Sequence, residues 1–283
     1  MTKTRNNAWI RILCAAVLTA APVWSAAKPA KIVSCSVSFD AYLTDMADAF
    51  ATKTGSTPLQ LIRAGVPVAV AAALNNKSEF GCGCRHLTPE EQARGGVETE
   101  VGYDMLVIIV HPSNPVEDIS LDQVRGIFSG KITDWGQVGG VKGRPIVLVG
   151  RESAGAGVTV SFMDMVMKGE HISDKRLSLA NSGGIEQEME SNPYGIAVSG
   201  LSARKRRVKL LKLEGAAPDS EHFRNGAYPL ARPLFMVTKG PPQGLAKHFL
   251  DFVVSPEGQT VMGRNAYTFE DWAQRTRALA GGR

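Results

Sequence analysis

The order of apolar segments at the start of the chain most restricts what it can fold into. Lys31-Ile-Val-Ser-Cys35 reads as a strand. Asp40 then caps a helix whose apolar positions, Leu43, Met46, Ala47 and Phe50, recur at i, i+3, i+4 and i+7 before Gly55 ends it. Residues 59–62 form a second short strand. Gly65 and Pro67 lead into an alanine-rich helix over 68–75, and residues 80–84 form a third strand. Helix-length crossovers between short apolar strands predict a parallel sheet covered on both faces, so the fold class is α/β.

The second half of the pattern adds an anion-binding feature. Residues 105–110 are a fully apolar strand, broken by His111-Pro-Ser-Asn-Pro115. Two prolines this close stiffen the chain into an extended crossing that suits a passage between domains. Ser120 and Gln123 form a capping box for a helix whose apolar face is Leu121, Val124, Ile127 and Phe128, stopped at Ser129-Gly130. A turn with Asp134 and Trp135 precedes a buried strand over 145–149. Arg151-Glu-Ser-Ala-Gly-Ala-Gly157 follows, then a helix carrying Phe162, Met163, Val166 and Met167. An arginine and a glycine-rich turn thus stand where a strand gives way to a helix N-terminus. Free N–H groups and the positive end of the helix dipole favour an anion there. Further strands are expected at 195–199, 208–213 and 234–238, and a helical C-terminus with Ser255-Pro256 opening its second helix.

Composition excludes several functions. Lys3, Arg5 and Arg11 precede an apolar run over 12–21 that is too short to span a bilayer, and Ser25-Ala26-Ala27 offers small residues for cleavage after Ala27. Residues 1–27 are therefore expected to be a signal peptide and the product periplasmic. Cys14 lies inside the apolar run with no small residue directly before it, unlike a lipoprotein cysteine. Removing the segment takes the net charge from +5 to near +2, too small to imply nucleic acid. The basic run Arg204-Lys-Arg-Arg207 leads into alternating apolar residues and reads as a solvated strand face. No later stretch is long and apolar enough to span a membrane. The histidines show no H-E-x-x-H pattern, and Gly150 to Gly155 has the wrong spacing for a G-x-S-x-G elbow, so no enzyme and no cofactor are expected.

Several stretches in order resemble the periplasmic phosphate-binding proteins of ABC-type phosphate transporters. They are ISLDQVRGIFSGKITDWGQVGG over 119–140, VIIVHPSNPV before it, IVLVGRES after it, NPYGIAVSGL near Asn192, and YPLARPLFMVTKGPP with FLDFVVSPEGQ near the end. The resemblance implies a bilobed type II periplasmic-binding-protein fold. One lobe would take 28–108 and 202–283, and the inserted lobe 109–201. It also implies a monomer that captures a small oxyanion, phosphate first, between the lobes and docks on a membrane permease. The implied ligand-binding residues are Ser36, Ser38 and Phe39 beyond the first strand, Cys84 and Arg85 beyond the third, and Arg151, Ser153, Gly155, Ala156 and Gly157 in the glycine-rich turn.

The chain departs from the family pattern at these positions. Gly155-Ala156-Gly157 stands where the family places Ser-Gly-Thr, so two hydroxyl donors are missing. Cys84 stands where an Asp or Ser is usual, and 64–68 lacks the family's glycine-serine run. Two alternatives stay open: a sensor or interaction protein of the same fold, and a soft-metal protein. Cys82, Cys84 and His86 alternate on one strand face, with Cys35 on a neighbouring strand.

Overall fold

The computed structural model describes residues 31–34, 37–56, 59–153 and 155–281. The expected signal segment, Cys14, Cys35 and Ser36 lie outside them. In chain order the first elements are β1 (Lys31–Ser34), α1 (Val37–Thr54), β2 (Gln60–Arg63), α2 (Val66–Leu74), β3 (Phe80–Gly83), α3 (Pro89–Ala93) and β4 (Gly96–Val110). Then come β5 (Asp118–Ile119), α4 (Leu121–Phe128), β6 (Val147–Arg151), α5 (Gly157–Phe162), β7 (Leu177–Leu179), α6 (Ser182–Ser191) and β8 (Gly195–Gly200). Last are β9 (Lys209–Leu210), β10 (Lys212–Leu213), α7 (Ser220–Arg224), β11 (Ala231–Lys239), α8 (Gly244–Val254), α9 (Pro256–Met262) and α10 (Phe269–Gly281).

The main sheet runs β2-β1-β3-β11-β4-β8-β6-β7, with β9 also on β4. β1 pairs β2 and β3 in parallel, as the crossover helices require. The sheet is nonetheless mixed. β11 is antiparallel to both β3 and β4, and β4 is antiparallel to β8. β4 extends well beyond the predicted apolar strand. Its first part pairs β11 and its last part pairs β8, so one strand joins two halves of the molecule.

Two apolar cores lie on either side of that join. One gathers Leu43, Met46 and Phe50 of α1, Phe80 and Cys82 of β3, and Phe249 and Phe252 of α8. Phe249 stacks on Phe80 and meets Phe50 edge-on, both with ring centroids 5.2 Å apart. The other gathers 105–110 of β4 with Val124, Ile127 and Phe128 of α4, Phe162 of α5 and Ile196 of β8. Val208, Leu211, Phe223, Tyr228 and Leu230 pack with this second cluster, although they follow residue 201 in the chain.

Where the two cores adjoin, Asp104 of β4 and Arg232 of β11 sit opposite one another. Arg232 Nη2 donates to Asp104 Oδ2 at 2.9 Å, and both side chains are buried. A buried charge needs its partner, because desolvation is not otherwise offset.

Local expectations hold in part. Ser120 and Gln123 form the predicted capping box, and Ser255 caps α9. Gly55 follows α1 with φ of +63°, the left-handed geometry that ends a helix cheaply only at glycine. The first helix begins at Val37, ahead of the expected cap at Asp40. The second begins at Val66, with Pro67 inside its first turn, where a missing N–H costs no helical bond. The single strand expected over 208–213 is two short strands in different sheets, β9 on β4 and β10 on β5, separated at Leu211. Its alternation fitted one face, and pairing to two partners split it. Among the described residues no helix is long and apolar enough to cross a membrane.

Candidate functional site: the meeting of two helix N-termini

Because β1, β2 and β3 run in parallel, their carboxyl ends share one edge of the sheet, and α1 and α2 begin just beyond it. In α/β sheets this edge is where ligands bind, since helix N-termini gather there. β6 in the other half ends at Arg151, and α5 begins at Gly157.

The first turns of α2 and α5 meet. A Cβ built on Gly155 would lie 3.0 Å from Pro67 Cγ. One built on Gly157 would lie 2.2 Å from Cys84 Sγ and 2.9 Å from Val66 Cγ2, closer than any real side chain tolerates. Glycine at 157 is therefore what lets α5 reach the end of β3. Ser161 Oγ, one turn further along α5, donates to the Cys84 carbonyl at 2.9 Å and fixes the approach.

Neither of these helices has a side-chain cap. The N-cap residues are Gly65 for α2 and Ala156 for α5, and no side chain bonds either helix start. Elsewhere Thr88, Ser120, Asn181, Asp219 and Ser255 each cap their helices with a side-chain oxygen, while α8 also lacks a side-chain cap. A cap contributes about 1 kcal/mol, so its omission at two facing termini leaves N–H donors and two positive dipole ends for another acceptor.

Arg151 adds the cation. Its Nε is buried and has no hydrogen-bond partner among the described residues. Burial also pushes its pKa below the ordinary arginine range. Leaving such a donor unpaired is costly, and an anion would satisfy it.

The other predicted residues are placed variously. Cys84 and Ala156 are buried beside Gly157, Gly155 is half-buried, and Ser153 is exposed. Ser38 and Phe39 fall in the first turn of α1. The Arg85 guanidinium is gripped by Glu91, with Nη1 to Oε2 at 2.8 Å and Nη2 to Oε1 at 2.9 Å, and Nη1 also donates to the His86 carbonyl. Its fork is thus filled by a neighbouring helix. Ser161, Val66 and Pro67 were not singled out as site residues from sequence. Ser161 gave no local signal, since its partner is the carbonyl of a residue far away in the chain.

The soft-metal pattern is dispersed. Cys82 and Cys84 are both buried, and burial pushes the Cys82 thiol well above its ordinary value. His86 is exposed, with Nδ1 on Glu98 Oε1 at 2.7 Å. Among the described residues no group of three or more His, Cys, Asp or Glu side chains is placed to hold a metal ion.

Two α/β halves joined by long antiparallel strands, with bare helix starts facing across the join, define a bilobed ligand-binding fold of the type II periplasmic-binding-protein kind. The chain belongs to the PBP superfamily, whose domain model matches residues 20–257. It is similar to the solved structure of a proposed phosphate ABC transporter substrate-binding protein with bound phosphate from Clostridium perfringens. That match has 31% identity and a TM-score of 0.78, covering 84% of this chain and 98% of that one. An ABC-type phosphate transport receptor from Vibrio cholerae shares the fold at 22% identity, with a TM-score of 0.68 over 84% of this chain and 99% of that one. Among curated relatives, the phosphate-binding protein PstS of Bacillus subtilis is 29% identical over 168 residues, 59% of this chain and 55% of that protein. The match thus spans about half that relative's length.

Proposed function

We propose that this protein is an exported, non-enzymatic receptor for a small oxyanion, phosphate first, which it captures between two lobes and delivers to an ABC permease. The observation that carries the reading is the meeting of two uncapped helix N-termini, α2 from one half and α5 from the other, beyond a strand ending in Arg151. Backbone N–H groups supply donors without side-chain hydroxyls, and arginine supplies a planar fork. The phosphate-binding relatives support the choice of ion. The lobes we propose follow the two apolar cores, so residues 208–230 go with the inserted lobe. Residues 1–27 act as the export signal in this reading, and Ser36, Ser38, Phe39, Ser153, Gly155 and Ala156 border the anion.

Calorimetry of the purified chain with phosphate, sulfate, molybdate and arsenate tests this. Saturable binding of one of these ions, lost in Arg151→Ala, is the expected result. No heat with any of them sinks the oxyanion reading.

A second reading, a sensor or interaction protein that keeps the fold without transport, is favoured by one observation. Pro67, Val66 and Cys84 pack apolar atoms on Gly155 and Gly157 where the phosphate-binding family places hydroxyls. Binding that is absent in titration yet leaves a folded, cooperative protein would favour it.

A further inference from the structure

Behind α5, in the half that carries β6, lies a cavity of about 330 Å³, at the small end of ligand pockets. Its wall is apolar: Phe128 of α4, Val149 of β6, Val198 of β8 and Ile172 of the loop before β7 all line it. Phe128 and Val149 are fully withdrawn from solvent. Its other lining is polar, with Arg151 and Arg176 as cations and Thr159, His171 and Asp174 beside them.

One of the two arginines is incompletely satisfied. Arg151 Nε is buried with no partner among the described residues. Arg176 is held in place because residue 150 is a glycine: a Cβ there would stand 3.1 Å from Arg176 Cδ. Its Nη1 donates to the Ser173 carbonyl at 3.1 Å, and Asp174 stands 3.9 Å away with its side chain fully in water, too far and too solvated to neutralise it. An apolar chamber with a cationic end is a poor match for an inorganic tetrahedral ion, which leaves the wall uncovered. It matches a compact organic acid, whose body covers the wall while its carboxylate takes the guanidinium donors.

We propose that this cavity is a second ligand site, adjoining the meeting of α2 and α5 and sharing Arg151 with it, and that it takes a small organic carboxylate with an apolar body. Its apolar wall belongs to one half of the molecule alone, so the body of the acid needs no contact from α2.

Phenylacetate is a suitable probe. Titrated into the whole chain by calorimetry, it should bind saturably at one site per chain. Arg176→Gln, at a partly exposed position, should weaken binding at least tenfold with the unfolding transition retained. Ile172→Trp, which fills the chamber from its loop side, should abolish it and leave any phosphate binding unchanged. No saturable binding of phenylacetate by the unsubstituted chain overturns the proposal, as does binding that neither substitution moves. Phosphate titrated in parallel reports on the other site, so a failure there is read separately.

Discussion

The Cys84 thiol occupies the space where a side chain of Gly157 would stand, 2.2 Å from the Cβ position, and so ties the end of β3 to the start of α5. The two residues belong to different halves of the molecule and are coupled by volume. A threonine at 157, the residue type the family resemblance implies there, is incompatible with Cys84 as placed.

Gly157→Thr should therefore destabilise the chain by about 1–3 kcal/mol through overpacking. Combining it with Cys84→Ala should recover much of that loss, giving a coupling measurable by a double-mutant cycle in urea. If the doubly substituted chain also gains a hydroxyl donor to the ion, phosphate affinity should rise about tenfold or more, as a hydrogen bond to a charged group contributes about 1.5–3 kcal/mol. Strictly additive stabilities would show that the contact carries no energy.

Arg151→Met separates binding from folding. The substitution removes a buried Nε that has no partner among the described residues, so urea stability should hold or increase. Phosphate affinity should fall at least tenfold. A marked loss of stability would mean that Arg151 is structural.

Ser161→Ala removes the hydroxyl that donates to the Cys84 carbonyl at 2.9 Å. The expected loss is about 1 kcal/mol of unfolding free energy. Faster hydrogen exchange in the first turn of α5 should accompany it, and unchanged exchange there would argue against the bond as the link between the halves.

Asp104→Ala removes the carboxylate that faces the buried Arg232 across the antiparallel pair of β4 and β11. Breaking a buried ion pair on one side costs about 3–5 kcal/mol, so this should be the most destabilising of these substitutions in denaturant unfolding.

Acid should weaken the clamp between Arg85 and α3. The Glu91 carboxyl is held below its ordinary value of 4.5, chiefly by the Arg85 hydrogen bonds and further by the Thr88 N–H. A depressed folded-state pKa contributes stability that is fully present above 4.5 and is lost as pH falls through the folded value. Glu91→Gln should cost on the order of 2 kcal/mol at neutral pH, and the gap to the unsubstituted chain should close on acidification. A gap independent of pH would contradict this ionic account.

Much of the fold is legible in sequence because it rests on local period and chemistry. The spacing of Leu43, Met46 and Phe50, the Ser120-to-Gln123 box and the Ser255 cap each act within one or two helical turns. Strand partners are less legible. Residues 208–213 alternate like one strand, yet Leu211 divides them between two sheets, a choice made by distant neighbours. The same distance hides Ser161, whose carbonyl partner belongs to Cys84, and the grip of Glu91 on Arg85.

By itself, the amino-acid sequence determined an α/β chain with an arginine and a glycine-rich turn at a helix start, because helix entry, capping and turn chemistry are short-range. Only the tertiary structure decided that the sheet is mixed, that β4 spans both halves, and that α2 and α5 meet with their N-termini bare. Those features depend on which strands lie side by side and how closely two helices can approach. That approach was settled where Gly157 admits the Cys84 thiol.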